Sequence, residues 1–390
     1  MESKGKSYLA LAMGTLSMMV CFMVWLCLSP LVDVILNNAG VQVSEFQRSF
    51  LLATPILLGS IMRIPMGILT DRWGGKKTYI VLMIFLIIPV LMMPRVHSYG
   101  MLIFTALLLG MAGTSFAVGV SYVTGFFPPE KQGLVLGIAG VGNIGTAFSA
   151  FFLPRLVKSM GLEGIFYLLV VLLVIFVILM LFCPESKTNK EATIGKSLSV
   201  AKEKDTWFLA LFYFLTFGMF MSMSNLLPTF MTKLFSQSLV DAGIWAAIFA
   251  VIGTLVRPLG GYLSDKIRPM TLLRYDFIAL IVVAIVFGIF LKNQGIFSAI
   301  VVIIAILVGM GNGIIFKMVP FVSSGNTGAV TGFVGAMGGL GGYFPPIILG
   351  IIKQSTGGYE IGIYLIAVVA LICLVLLQKE YISGQHKIVK

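Results

Sequence analysis

Three basic side chains, Arg63, Arg257 and Lys317, stand inside long, otherwise apolar runs. Burying each costs about 2.5–3.5 kcal/mol on membrane-insertion scales, so such residues usually face a cavity or a partner. Arg63 precedes Asp71 by eight residues, and Arg257 precedes Asp265 by the same spacing. That is about 12 Å at the helical rise, close to the midplane of a ~30 Å hydrocarbon core. None of the fifteen acidic residues is expected in the middle of a span: Asp33, Glu45, Asp71, Asp241, Asp265, Asp276 and Glu360 all read as near span ends or in loops. Two guanidinium groups at equal depth without carboxylates call for an anion from outside. Their planar forks of donors suit a small planar oxyanion better than a compact ammonium would. The alternative is that both arginines snorkel or bond to backbone carbonyls; their depth and symmetry argue against it.

Aromatic residues at helical spacing can wall such a site. Tyr213 and Phe217 are i and i+4, and Phe116 lies in a separate apolar run. Stacked rings would hold a planar anion flat and the tyrosine hydroxyl would donate to it; plain packing is the competing reading. Asn143 is polar in an apolar run, either an anion ligand or an interhelical hydrogen-bonding group. Glycines crowd two stretches: Gly133, Gly137, Gly140, Gly142 and Gly145, then Gly328, Gly332, Gly335, Gly338, Gly339, Gly341 and Gly342. Small residues at this spacing let helices approach closely; sliding bundles and static packing remain equally open. In the string Gly67 to Lys77, Asp71 can cap a helix N-terminus or pair with an arginine across a gate, while Arg72 and the lysines set topology.

Positioning these residues takes a membrane-embedded helical frame. Of 390 residues 58% are hydrophobic and 11% charged, and the mean hydropathy of +1.03 exceeds what a soluble fold can hide. Hydropathy predicts an all-α integral membrane protein with twelve helices at roughly 8–29, 46–70, 78–94, 99–122, 131–153, 162–183, 207–231, 240–264, 271–291, 295–321, 326–352 and 359–377. A polar connection over 184–206, with Lys187, Lys190, Glu191 and Lys196, separates a six-helix bundle at 1–183 from a second at 207–390. The halves repeat: Gly59, Arg63, Gly67, Leu69 and Asp71 recur as Gly253, Arg257, Gly261, Leu263 and Asp265, an offset of 194 residues from Arg63 to Arg257. Gly133, Gly137 and Gly140 recur as Gly328, Gly332 and Gly335. Two such halves, related by an axis along the membrane normal, leave a cavity between them.

Lys4, Lys6, Arg72, Lys76, Lys77, Lys131, Lys387 and Lys390 share one side with the connection, whereas Arg48, Arg95, Arg155, Lys158, Lys233, Lys292 and Lys353 fall on the other. The bias predicts a multi-pass protein of the cytoplasmic membrane with both termini cytoplasmic. It also explains the net charge of +12 without nucleic-acid binding. The first apolar stretch has no cleavage site and is expected to be retained as a helix. Cys21, Cys27, Cys183 and Cys373 lie in apolar runs, and His97 and His386 in connections or the tail, so neither a metal nor a cofactor nor an intramembrane enzyme is expected.

The string G-x-L-x-D-R-x-G-G-K-K, with a degenerate copy from Gly261 to Arg268, resembles the loop motif of the major facilitator superfamily. The stretches Gly137 to Gly145 and Gly332 to Pro346 resemble the paired nitrate motifs of its nitrate/nitrite porter family. The resemblance covers essentially the whole chain and implies alternating access. By it, Arg63 and Arg257 correspond to the substrate arginines, Tyr213, Phe217 and Phe116 to substrate aromatics, and Asn143 to a motif asparagine. The first motif is one residue shorter here. Lys317, beside Asn312, departs from a neutral polar position. A lysine buried there could shed its proton during the cycle, or act as a fixed or structural charge. The implied function is import of nitrate, and of nitrite, by a monomer in membrane lipid; Lys317 tips the reading to proton symport, with nitrate/nitrite antiport the close alternative. Another anion or drug transporter and an anion-sensing receptor are more distant readings.

Overall fold

Apolar helices of transmembrane length follow one another from α1 (Lys4–Ala39) to α12 (Glu360–Ser383) in the computed structural model, which describes residues 4–128, 132–186, 188, 195, 199–322 and 327–383. Between them come α2 (45–73), α3 (Gly75–Arg95), α4 (Tyr99–Thr124), α5 (132–160), α6 (161–181), α7 (Lys204–Phe235), α8 (Leu239–Lys266), α9 (Pro269–Ile289), α10 (Gln294–Val322) and α11 (Thr327–Thr356). The unbroken run Val135–Leu181 is 47 residues long. At the helical rise that is about 70 Å, more than twice the hydrocarbon core, so it makes two crossings. They divide at Gly161, whose φ of 68° and ψ of 176° suit glycine. Twelve crossings and no strand result among the described residues, as hydropathy predicts.

The first crossing outruns its expected end at residue 29. After a turn at Leu26–Cys27 the helix resumes at Leu28 and continues to Ala39, closed by Gly40 at φ 66°. Pro30 falls in the first turn of the new segment, where its missing N–H is not needed. The extension brings Asp33 onto Arg48 of α2 in a two-pronged ion pair, one arm 3.0 Å long. Lys131, Lys187, Lys190, Glu191, Lys196, His386, Lys387 and Lys390 lie outside the described residues.

Helix breaks mark both buried arginines. α2 bends by 41° at Met62, and α8 is interrupted at Val256. Arg63 and Arg257 each open the segment that follows. Pro65 and Pro258 stand just beyond; a proline withdraws the amide that would bond four residues back, which loosens the turn holding the arginine.

The loop string between α2 and α3 folds onto the end of α6. Gly74 sits at φ 96°, and Gly75 N donates to Ser186 Oγ at 2.8 Å while Lys76 N donates to Glu185 Oε1 at 2.9 Å. The start of α3 is thus capped by Glu185 and Ser186; Asp71 instead takes a hydrogen bond from Ser121 of α4. Glu185→Ala is expected to lower stability by about 1 kcal/mol, measured as a drop in melting temperature in detergent. Glu185→Gln, which keeps an acceptor, should stay close to wild type.

Between the halves, three hydrogen bonds cross among the described residues: Ser29 Oγ to Asn225 O, Asn225 Nδ2 to Leu52 O at 2.7 Å, and Arg63 to Gly335 O. Closely packed glycines add to this seam, with Gly243 against Ala150 and Gly350 against Ser49. These contacts lie at the level of Arg63 or toward the membrane face away from the α6–α7 connection.

Candidate functional site

Arg63 is wholly buried in the centre of the helix bundle, and Arg257 is 9% exposed. Both guanidinium groups lie over one ring, that of Phe217, at 5.3 Å for Arg63 and 5.5 Å for Arg257. Their central carbons are therefore less than 10.8 Å apart, the sum of those two distances. Phe116 lies 5.0 Å from Arg63 and Trp25 5.4 Å from it, so three aromatic rings surround that cation. Such contacts are worth about 0.5–2 kcal/mol each and offset part of the cost of burial. Tyr213 stacks on Phe217 at 4.9 Å and an interplanar angle of 10°, and its hydroxyl lies 2.6 Å from Arg257 Nη2. The sequence paired Tyr213 with Phe217 by spacing, set the two arginines at one depth by the repeat, and named Phe116 through the family resemblance; the fold brings all five together.

The donors of Arg63 are divided between the protein and the chamber. Nε donates to Gly113 O at 3.3 Å, and Nη1 donates to Gly335 O. Bonding to backbone carbonyls, which the depth argument disfavoured, thus holds for two of its nitrogens. Nη2 is buried with no partner. A buried, charged donor left unmatched is costly, which makes it a place for an acceptor brought from outside.

Repeat-related glycines meet repeat-related arginines of the opposite half. A methyl added at Gly335 of α11 would lie 3.3 Å from the Phe116 ring and 3.8 Å from Arg63 Nη1; one at Gly140 of α5 would lie 3.8 Å from Arg257 Nη1. Glycine at these two positions keeps side-chain bulk out of the space beside each guanidinium. Most of the remaining motif glycines pack helices together. Gly142 and Gly145 abut α1 at Thr15, Met18 and Met19; Gly339 abuts Ser60; Gly338, Gly341 and Gly342 abut α7 at Tyr213, Phe214 and Met221. Gly137 and Gly332 have open space around them. Asn143, in the 3-10 turn Val141–Ile144, is fully buried with both side-chain polar atoms unpartnered.

At the ends of the long helices the two loop-motif glycines play matching parts, Gly67 facing Ala117 of α4 and Gly261 facing Gly313 of α10. Arg72 is exposed. Lys317 departs from its expected setting. It is ion-paired with Asp265, and the two side chains are 38% and 52% exposed, so it is neither deeply buried nor without a carboxylate. The pair joins α10 to the α8 copy of the loop motif. Asn312, five residues earlier, is buried with both polar atoms unpartnered.

Sequence reasoning missed Trp25, Phe316 and Asp276. Trp25 lies under Arg63 and donates from Nε1 to Pro55 O at 3.0 Å. With the first span expected to end at residue 29, Trp25 read as an ordinary interfacial tryptophan, so its spacing carried no signal. Phe316 packs edge-on against Tyr213 and Phe116, at 4.9 and 6.0 Å; nothing in its spacing distinguishes it from other membrane phenylalanines. Asp276, expected near a span end, is buried.

The profile of the Major Facilitator Superfamily matches residues 14–342. A nitrite extrusion protein of Bacillus subtilis (strain 168) is 36% identical over 384 residues, covering 98% of this chain and 96% of that protein. A probable nitrate transporter, NarT, of Staphylococcus epidermidis is 37% identical over 382 residues, covering 97% of each. Among solved structures, the human organic anion transporter MFSD10 (TETRAN) superposes with a TM-score of 0.74 at 14% identity, covering 95% of this chain and 99% of that one. A bacterial homolog of the human lysosomal transporter Spinster, inward-facing and occupied, gives a TM-score of 0.72 at 16% identity, covering 99% and 98%. At those identities the structures speak for the fold alone. The profile and the full-length relatives make this multi-pass membrane protein a transporter of nitrate or nitrite, not an enzyme. The chain belongs to the nitrate/nitrite porter family of the major facilitator superfamily.

Proposed function

We propose that the protein imports nitrate across the cytoplasmic membrane by alternating access, the anion held between Arg63 and Arg257 and flanked by Phe116, Tyr213 and Phe217. The carrying observation is the buried Nη2 of Arg63, a charged donor without a partner beside a ring shared with Arg257. A planar trigonal oxyanion supplies that acceptor, and its charge reduces the repulsion between the arginines as the halves close over it. Asn143 offers further polar atoms from α5. The bundles 1–183 and 207–390 rock about this site, joined by the 184–206 connection on the cytoplasmic side with both termini. Lys317 and Asp265, with Asp71 in the other half, belong to the cytoplasmic gate. The protein works as a monomer in lipid.

Import against an inside-negative potential costs about 2.3 kcal/mol per charge per 100 mV, and symport with a proton removes that cost. Exchange for internal nitrite is the second reading. It is favoured by the absence of a described carboxylate bonded to either arginine and by the nitrite-extrusion name of the Bacillus relative. In proteoliposomes, labelled nitrate accumulates under an inward proton gradient alone if symport holds; a strict need for internal nitrite establishes exchange. Nitrate movement under neither condition overturns the substrate assignment.

A further inference from the structure

Within α9, Asp276 is 5% exposed and neither of its carboxyl oxygens has a hydrogen-bond partner. It lies seven residues beyond Pro269, about 10 Å into the membrane at the helical rise. A methyl added at Gly311 of α10 would touch it, 2.9 Å from Asp276 Oδ2, and would also lie 2.7 Å from Thr216 Cγ2 of α7. Thr216 directly precedes Phe217, and its hydroxyl donates back to Phe212 O at 3.2 Å. Gly313, two residues beyond Gly311, is in close contact with the backbone carbonyl of Arg257. The carboxyl therefore stands one helix layer behind the Tyr213–Phe217 wall, near the depth of the arginines.

No charged group of the surrounding helices is bonded to it among the described residues. On α10, Lys317 lies six residues past Gly311 and is paired with Asp265. On α12, Tyr364 abuts Gly288, twelve residues along α9; Cys373 is buried, and Lys379 and Glu380 lie beyond it toward the helix end. On α8, Tyr262 and Lys266 engage each other, and on α9 itself Arg274 and Tyr275 are exposed. From α7, Thr216 lies at this contact, and Phe212 packs on the neighbouring Phe277. An ionisable side chain kept in a membrane helix without a partner is a functional position by default, and proton relay is its common use.

We propose that Asp276 is the proton-carrying residue of a one-proton, one-nitrate cycle. Its carboxylate takes a proton from hydronium on the side where nitrate enters, one O–H bond of the hydronium breaking as the carboxyl O–H forms. On the side where nitrate leaves, the carboxyl O–H breaks as the proton passes to a water, which becomes hydronium. Removing the negative charge behind Phe217 favours the anion in front of it, and by linkage nitrate favours the proton equally. The inference rests on the nitrate-transport reading.

The test uses the full chain in proteoliposomes with labelled nitrate. For wild type, a pH gradient drives uptake, one proton enters per nitrate, and clamping the membrane potential changes the rate by less than about twofold. Asp276→Asn loses gradient-driven uptake by about tenfold or more, yet keeps nitrate/nitrate counterflow within about threefold. Asp276→Glu restores gradient drive. Wild-type uptake without proton entry overturns the inference and leaves the nitrate reading standing. The same holds if Asp276→Asn keeps full gradient drive, or if it loses counterflow as well while remaining monodisperse. Nitrate moving in no mode overturns both together.

Discussion

Arg63→Lys is expected to lower nitrate uptake by about 100-fold or more, in gradient-driven and counterflow modes alike. Arg63 spends Nε on Gly113 O and Nη1 on Gly335 O, and still has Nη2 free. A lysine has three donors that radiate from one nitrogen without a planar fork, so it does not reproduce the separate positions from which Nε, Nη1 and Nη2 meet two carbonyls in different halves and the chamber. It gives up the stacking of a flat cation on Trp25, Phe116 and Phe217 as well. Arg257→Lys, which loses the Tyr213 contact, should behave in the same direction. Titrating labelled nitrate onto the purified variants separates the causes: a lost binding signal with an unchanged melting temperature places the defect in the site. Normal uptake by either variant would falsify the two-arginine site.

The second large effect concerns the glycine motifs and divides residues that look alike in sequence. A methyl at Gly145 would run into Met19 O of α1, and one at Gly341 into Phe214 O of α7. Backbone cannot step aside as a side-chain tip can. Gly145→Ala and Gly341→Ala are therefore expected to destabilise by about 1–3 kcal/mol or more, with loss of expression or a large drop in melting temperature. Gly137 and Gly332 stand at repeat-related positions with nothing within 4 Å of an added methyl. Alanine there is stability-neutral, or favourable by up to about 1 kcal/mol in a helix interior. Transport decides whether the open space is used. The cross-half bonds lie at or beyond the level of Arg63, so on the proposed alternating-access cycle closing the opposite end would consume the room beside Gly137 and Gly332. Their alanine variants should keep the melting temperature and transport several-fold more slowly. Unchanged transport would mean that these two glycines are packing remnants and not part of the moving surface.

Both predictions concern contacts between helices far apart in the chain, and that is where legibility in the sequence ends. Hydropathy and the offset between Arg63 and Arg257 are one-dimensional properties, and they determined twelve crossings, two related halves and two arginines at one depth. The motif strings determined the family, and spacing along α7 was enough to pair Tyr213 with Phe217. The tertiary structure alone decided which donors of Arg63 are already used, that Trp25 and Phe316 complete the aromatic shell, and that Gly335 and Gly140 each face an arginine of the other half. It also moved Lys317 from an isolated charge to a partner of Asp265, and placed Asp276 behind the Tyr213–Phe217 pair. The reason is rotational: each residue along a helix turns the side chain by about 100°, so depth can be counted from the sequence. The facing partner depends on how every neighbouring helix is turned and bent, and the breaks at Met62 and Val256 reset that turn just before the two arginines.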